Sequence, residues 1–96
     1  MGIVTRFNEI CLLCGRPATE THHLVYGNGS RMLADMDGLT APLCHQCHAD
    51  IHEQGTAGKL SKVVGQIAWE KQKILEGRPP EQVRGAFMKR YGRSYL

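Results

Sequence analysis

The sequence predicts a small α+β protein in which two short strands, held by a structural metal, are followed by helices. Three observations predict it: two Cys-x2-Cys pairs, two short runs of strand-forming residues, and a helical periodicity in the second half. The chain has 96 residues, which suits one domain. Aromatic residues make up only 6%, so a metal is expected to supplement a thin core.

The first half predicts a turn, two strands and a loop. Residues 11–17 predict a tight turn that carries the first cysteine pair. Residues 19–25 are rich in β-branched and ring side chains and predict a short strand. Residues 26–38 contain three glycines and an Asn-Gly step, which predicts a long loop. Residues 39–43 predict a second strand, and Pro42 restricts it to a sheet edge.

The second half predicts three helices. Residues 45–54 contain no helix breaker, residues 59–76 repeat apolar side chains at helical spacing, and residues 80–91 continue after two prolines. Trp69 lies opposite the apolar stripe of the long helix, so we expect it to pack under the last helix. The stripe consists of Leu60, Val63, Val64, Ile67, Ile74 and Leu75. We expect one domain over 1–96, with a zinc-stapled core at 11–54 and a basic helical extension at 59–91.

Charge is divided unevenly along the chain. Residues 1–53 carry three basic and six acidic side chains, whereas residues 54–96 carry nine basic and three acidic ones. A basic segment beside a metal-rich one suits a polyanionic partner such as DNA. A solvated helical face explains the same charges equally well. The basic side chains are Lys59, Lys62, Lys71, Lys73, Arg78, Arg84, Lys89, Arg90 and Arg93.

The four cysteines predict a structural zinc site. Cys11 and Cys14 form one pair, and Cys44 and Cys47 form the other. A two-residue spacing lets two thiolates turn onto one cation, and two such pairs complete the tetrahedron that structural zinc prefers. The 29 residues between the pairs exceed the usual spacing, which indicates structure inserted between them.

The second pair also matches a haem attachment pattern. Residues 44–48 read C-x-x-C-H, the sequence that attaches c-type haem. The presence of the other thiol pair, Cys11 and Cys14, the scarcity of aromatic residues and the absence of an export signal argue against haem attachment.

Four of the five histidines predict a second metal site. His48 and His52 are four residues apart on a predicted helix, so both rings can reach one cation. His22 and His23 are adjacent on a predicted strand and point to opposite faces, so they should differ in role. One can complete a three-histidine site and the other can accept a proton from water. His45, on the turn between two cysteines, has no predicted role.

The order of these motifs resembles the HNH endonuclease family, in its zinc-stapled phage and bacterial form. The resemblance rests on Cys-x2-Cys, then His-His-Leu, then a glycine-rich segment with Asp-Gly-Leu, then Leu-Cys-x2-Cys-His-x3-His. It covers residues 11–53 and implies a ββα-metal fold.

The resemblance also implies a role for each site residue. His22, His48 and His52 would bind a catalytic divalent metal, and His23 would be the general base. Asp37 stands where the family usually has the asparagine that braces the loop.

These observations predict a metal-dependent HNH endonuclease that hydrolyses DNA phosphodiester bonds. Histidine ligands favour Zn²⁺ or Ni²⁺, whereas availability favours Mg²⁺ or Mn²⁺. Arg31 is a candidate phosphate contact. The alternative is a non-catalytic zinc module that binds nucleic acid or protein, which would not need His23.

Two further features bear on location. The N-terminal residues show no secretory signal, and no apolar run approaches the ~18 residues that span a membrane. We therefore expect no membrane partner and a cytoplasmic location, and the resemblance to HNH endonucleases implies a bacterial cell and a phage as one origin of the protein. The oligomeric state is not predicted.

Overall fold

The computed structural model describes residues 2–27 and 29–96. It has an α+β fold with a two-stranded antiparallel sheet and four helices, as the sequence predicts. The elements in chain order are β1 (Glu20–His23), α1 (Ser30–Asp37), β2 (Thr40–Leu43), α2 (His45–Glu53), α3 (Gly55–Leu75) and α4 (Pro80–Tyr91).

Both predicted strands are confirmed. The register pairs His22 with Ala41 and His23 with Thr40. Pro42 is tolerated because a two-stranded sheet consists of edge strands, and its carbonyl accepts a hydrogen bond from Leu12 N at 2.9 Å. Because side chains alternate along a strand, this register directs His22 toward the buried side of the sheet.

The prediction of a long loop over 26–38 is wrong. Residues Ser30–Asp37 form α1, and the glycines mark its ends instead of interrupting it. Gly38, with a φ of 74°, is the left-handed C-cap, a conformation that glycine adopts at no steric cost. Buried Ala34 anchors the helix in the core. Asn28, part of the predicted Asn-Gly step, lies outside the described residues.

The long helix exists but begins earlier, at Gly55, and its apolar stripe faces outward. Leu60 is 58% exposed and Ile67 is 51% exposed. The expectation that Trp69 packs under the last helix is confirmed, because its ring meets Phe87 edge-on at 5.5 Å between centroids. The buried face consists instead of Gly58, Ser61, Gly65, Gln66, Trp69 and Glu70.

Two buried clusters hold the elements together. The first lies where the residues directly after β1 meet β2, α1, α3 and α4, so the C-terminal helices share a core with the sheet region. The second is smaller and surrounds the cysteines, with Leu43 and Ile51 packed against them. Among the described residues, no helix is long and apolar enough to cross a membrane. The first cluster comprises Leu24, Val25, Ala34, Leu39, Ala41, Trp69, Phe87 and Tyr91.

Candidate metal centres

The four cysteines form one cluster. Cys11 and Cys14 lie on the turn before β1, Cys44 caps the N-terminus of α2, and Cys47 lies in its first turn. Their sulfur atoms all lie within 4.8 Å of one another, and the Sγ atoms of Cys14 and Cys44 are 3.7 Å apart. Zinc–sulfur bonds of about 2.3 Å place tetrahedral sulfurs about 3.8 Å apart. The cluster is therefore a tetracysteine site that can bind structural zinc.

Local backbone geometry forms the first half of this site. Gly15 adopts a φ of 78° and donates its N–H to the Cys11 carbonyl at 3.0 Å, while Cys11 N donates to Arg16 O at 2.7 Å. The positive φ explains why glycine follows the second cysteine. The turn directs both thiols to one side, toward the start of α2.

The protein environment favours thiolates at part of this site. Burial alone raises the pKa of Cys11, but backbone hydrogen bonds from Cys44, Cys14 and Leu13 outweigh it and lower the pKa to about 6. The Arg16 guanidinium, 3.3 Å from Cys14 Sγ, lowers the pKa of that thiol. Arg16 is a site residue that the sequence motifs did not reveal.

A second cluster joins three histidines from two elements. His22 lies on β1, and His48 and His52 lie one turn apart on α2. The ring centroids are 5.1 Å apart for His22 and His48, 5.4 Å for His22 and His52, and 4.9 Å for His48 and His52. One nitrogen from each ring lies within 4.8 Å of the others. The structure thus brings together the three histidines that the sequence proposes as ligands.

The environment of His22 suits a metal ligand. Its side chain is 1% exposed, and burial, followed by the charges of His48, His52 and His23, lowers its pKa to about 4. The ring is therefore neutral at neutral pH, as metal binding requires. Its Nε2 lies 2.8 Å from Ser61 Oγ, whereas its Nδ1 is buried without a hydrogen-bond partner among the described residues. A buried nitrogen without a partner is costly unless a ligand binds it.

His48 and His52 present nitrogen atoms to each other. Their Nε2 atoms are 3.2 Å apart, close to the about 3.4 Å expected for two nitrogens that share a tetrahedral ion at ~2.1 Å. His48 Nδ1 lies 2.6 Å from Oε1 of Glu20. Because a carboxylate only accepts, the proton is on Nδ1 and Nε2 is left to bind a metal. The donor set therefore fits a divalent ion.

Glu20 is a second residue that the sequence analysis missed. Its other oxygen, Oε2, accepts a hydrogen bond from His45 Nδ1 at 2.6 Å. The hydrogen bonds from His45 and His48 hold the pKa of Glu20 below its ordinary value. A signal was present, because residues two apart on a strand share a face and Glu20 precedes His22 by two. His45, without a predicted role, is an exposed partner of this carboxylate.

His23 and Arg31 line the same open cavity as the three-histidine cluster. His23 Nε2 lies 3.2 Å from Oδ1 of Asp35 on α1. The carboxylate can therefore hold the Nε2 proton and leave Nδ1 as the basic nitrogen. No sequence pattern points to Asp35, because its contact depends on α1, which the sequence predicts as a loop. Tyr26 also lines the cavity.

Asp37 lies at the junction of three helices. Its carboxylate accepts hydrogen bonds from Trp69 Nε1 at 2.9 Å, Tyr91 OH at 2.7 Å and the Arg90 guanidinium at 2.7 and 2.8 Å. These contacts tie the end of α1 to α3 and α4. Asp37 thus braces the segment between the strands through partners in the C-terminal helices.

Fold and site together define a small α+β protein with a tetracysteine site able to bind zinc. The chain belongs to the family described as "Protein of unknown function (DUF968)", whose sequence model matches residues 5–72. Comparison with curated proteins and with solved structures finds no match.

Proposed function

We propose that the protein is a metal-dependent endonuclease of the HNH type that hydrolyses DNA phosphodiester bonds. The observation that carries the proposal is the cluster of His22, His48 and His52 beside His23, in which the buried Nδ1 of His22 has no hydrogen-bond partner among the described residues. A protein that bound only a structural zinc through its cysteines would not need the three clustered histidines.

The order of elements supports the proposal. His22 and His23 lie on β1, β2 follows, and α2 supplies His48 and His52. This is the strand–strand–helix order of a ββα-metal core, with α1 inserted between the strands. The tetracysteine site joins the segment before β1 to the start of α2. Zinc bound there would therefore stabilise the two elements that carry the histidines.

His22, His48 and His52 would hold the catalytic metal. When bound there, a divalent ion would supply Lewis acidity to neutralise charge on a phosphate oxygen and on the leaving oxygen. Three imidazole ligands favour Zn²⁺ or Ni²⁺, and Mg²⁺ and Mn²⁺ remain candidates through availability. Glu20 orients His48 by holding its Nδ1 proton.

His23 would act as the general base. Asp35 holds the ring through Nε2, so Nδ1 can take the proton of an attacking water. The imidazolium that forms is stabilised by the Asp35 carboxylate. The His23 side chain is 15% exposed, so water can reach it.

Arg31 and the basic helices would bind the substrate. Arg31 is exposed at the rim of the histidine cavity, where its guanidinium can bind a phosphate. The segment 54–96 has an excess of six positive charges, nine basic minus three acidic, which attracts a polyanion without reading its sequence.

The test is cleavage of supercoiled plasmid with Mg²⁺, Mn²⁺, Ni²⁺ or Zn²⁺. We expect nicking by wild type and a loss of about 100-fold or more in His23→Ala, because a general base contributes at least that factor. His45→Ala is the matched control, since His45 is exposed and Glu20 keeps its contact with His48 through the other oxygen. Equal cleavage by His23→Ala and wild type would refute the proposed base. A folded wild type that binds DNA without cleaving it under any metal would favour the non-catalytic zinc module.

A further inference from the structure

We propose that Ser61 on α3 is a positioning residue that fixes His22 in the Nε2–H tautomer and so presents Nδ1 to the metal. The inference rests on the metal site of the proposed function but not on DNA cleavage. It makes α3, which lies outside the strand–strand–helix core, a structural part of the metal site.

The tautomer follows from counting protons. Ser61 Oγ lies 2.9 Å from the carbonyl oxygen of Leu24 and 2.8 Å from His22 Nε2. A hydroxyl has one proton, and a carbonyl oxygen can only accept, so Ser61 donates to Leu24. The remaining lone pairs of Ser61 Oγ can only accept from His22. The proton of the neutral ring is therefore on Nε2.

The other tautomer is disfavoured by the same two contacts. With its proton on Nδ1, His22 would turn a bare Nε2 toward Ser61 Oγ. The hydroxyl could then satisfy either Nε2 or the Leu24 carbonyl, and one buried acceptor would lose its donor. The tautomer that avoids this loss leaves Nδ1 with a free lone pair, and within residues 2–27 and 29–96 no group forms a hydrogen bond with Nδ1.

Two glycines bring Ser61 close enough to make these contacts. A Cβ at Gly65 would lie 2.9 Å from Val25 Cγ2, and a Cβ at Gly58 would lie 2.6 Å from the Tyr26 hydroxyl. Gly58 lies three residues before Ser61 and Gly65 lies four residues after it, so all three share one face of α3. Their lack of side chains lets the helix approach the chain that follows β1. The hydroxyl of Ser61 therefore reaches β1 from a distant part of the sequence.

Burial makes the arrangement specific. Ser61 and Leu24 are both buried, as is His22. Water therefore does not readily replace the serine hydroxyl in the native arrangement. Outer partners of metal-binding histidines set ring orientation and basicity, and their loss typically weakens metal binding by about 10- to 100-fold.

The first measurement uses wild-type protein alone, with one equivalent of zinc to fill the tetracysteine site. Long-range ¹⁵N NMR correlations of ¹⁵N-labelled protein report which ring nitrogen of His22 carries the proton. We expect the Nε2–H tautomer with Nδ1 unprotonated at neutral pH. A predominant Nδ1–H tautomer in folded wild type would overturn the proposal, whatever any variant does.

The second measurement uses calorimetry to compare the Ni²⁺ affinity of the wild type with that of two Ser61 variants, each loaded with one equivalent of zinc. We expect Ser61→Ala to bind Ni²⁺ about 10- to 100-fold more weakly and to show mixed His22 tautomers. Ser61→Thr keeps the hydroxyl and should restore one tautomer and affinity within about threefold of wild type. Retention of one zinc per chain shows that each variant keeps its scaffold. Unchanged Ni²⁺ affinity in folded Ser61→Ala would contradict the proposal.

The outcomes separate this inference from the proposed function. Neither measurement contains DNA, so a protein that shows the Nε2–H tautomer and serine-dependent Ni²⁺ binding but cleaves nothing would refute only the nuclease. Plasmid cleavage by a wild type with the opposite tautomer would refute only the role of Ser61.

Discussion

The guanidinium of Arg90 donates two hydrogen bonds to the carboxylate of Asp37, at 2.7 and 2.8 Å, although 53 residues separate them. This two-point contact is the geometry in which arginine recognises a carboxylate most strongly. It joins the end of α1 to α4. It also makes the insertion between the strands depend on the C-terminal helix, which indicates that the sheet and the helical extension fold as one unit.

We expect Asp37→Asn to lower the free energy of unfolding by about 2 kcal/mol, because it removes hydrogen bonds between charged partners and leaves Arg90 without its counter-charge. Urea denaturation measures the change. Asp50→Asn is the matched control, since Asp50 accepts from the exposed Gln46 side chain, and its change should stay within about 0.5 kcal/mol. Equal stability of the two variants would contradict the bracing role.

Acid should weaken the same contact. Burial by itself raises the pKa of Asp37, but hydrogen bonds from Arg90 and Tyr91 outweigh it and hold the pKa below its ordinary value. A depressed folded pKa stabilises the protein fully above the unfolded pKa of about 3.9, and this contribution disappears as pH falls through the folded pKa. Below about pH 4, the wild type should therefore lose stability more steeply than Asp37→Asn, whose side chain does not titrate. Parallel pH profiles of denaturant midpoint would rule this out.

Two glycines in helices should respond oppositely to alanine. Gly65→Ala should destabilise the protein by about 1–2 kcal/mol, because the new methyl would lie 2.9 Å from Val25 and 3.1 Å from Leu24 Cβ. Gly85→Ala should stabilise it by about 0.5–1 kcal/mol, since nothing lies within 4 Å and alanine favours a helix. Thermal and urea unfolding compare them. A stabilising Gly65→Ala would mean that α3 does not approach Leu24 and Val25 as closely as described, whereas a destabilising Gly85→Ala would contradict the open surroundings of that glycine.

The Glu20 carboxylate should strengthen metal binding by the histidines. Glu20→Ala removes the acceptor that holds the Nδ1 proton of His48, so Ni²⁺ affinity of the one-zinc protein should fall by about tenfold or more. Glu9→Ala, at another glutamate of the N-terminal half, is the control and should bind as wild type does. Calorimetry measures both. A Glu20→Ala affinity equal to that of the control would show that the carboxylate contributes only a surface contact.

Loss of one cysteine should unfold the protein. Cys44→Ser removes one of four sulfurs and alters the N-cap of α2, where Cys44 Sγ accepts from Cys47 N at 3.5 Å. Structural zinc contributes folding energy directly, so we expect loss of bound zinc and of a cooperative thermal transition. Metal analysis and circular dichroism measure the two effects. A zinc-free variant with an unchanged melting temperature would exclude a structural role for the cluster.

Local patterns predicted both strands and the helices after them, because alternation and helical periodicity are properties of adjacent residues. The loop prediction is wrong at α1 because glycines usually indicate breaks in regular structure, whereas Gly38 caps a helix. The apolar stripe of α3 faces outward, which its helical periodicity alone does not predict. Periodicity identifies an apolar face, but the glycines opposite it allowed closer packing than bulky side chains permit.

The sequence by itself determined the candidate ligands: two thiol pairs at zinc spacing, and histidines at positions that one strand and one helix can bring together. These choices are local, because knuckle spacing and helix pitch operate over a few residues. Only the tertiary structure decided which groups orient those ligands. Glu20, Asp35 and Ser61 reach their histidines across 28, 12 and 39 residues. Strand alternation places Glu20 on the face of His22, but the contacts themselves depend on how elements pack, and packing follows from the summed burial of side chains that are distant in sequence.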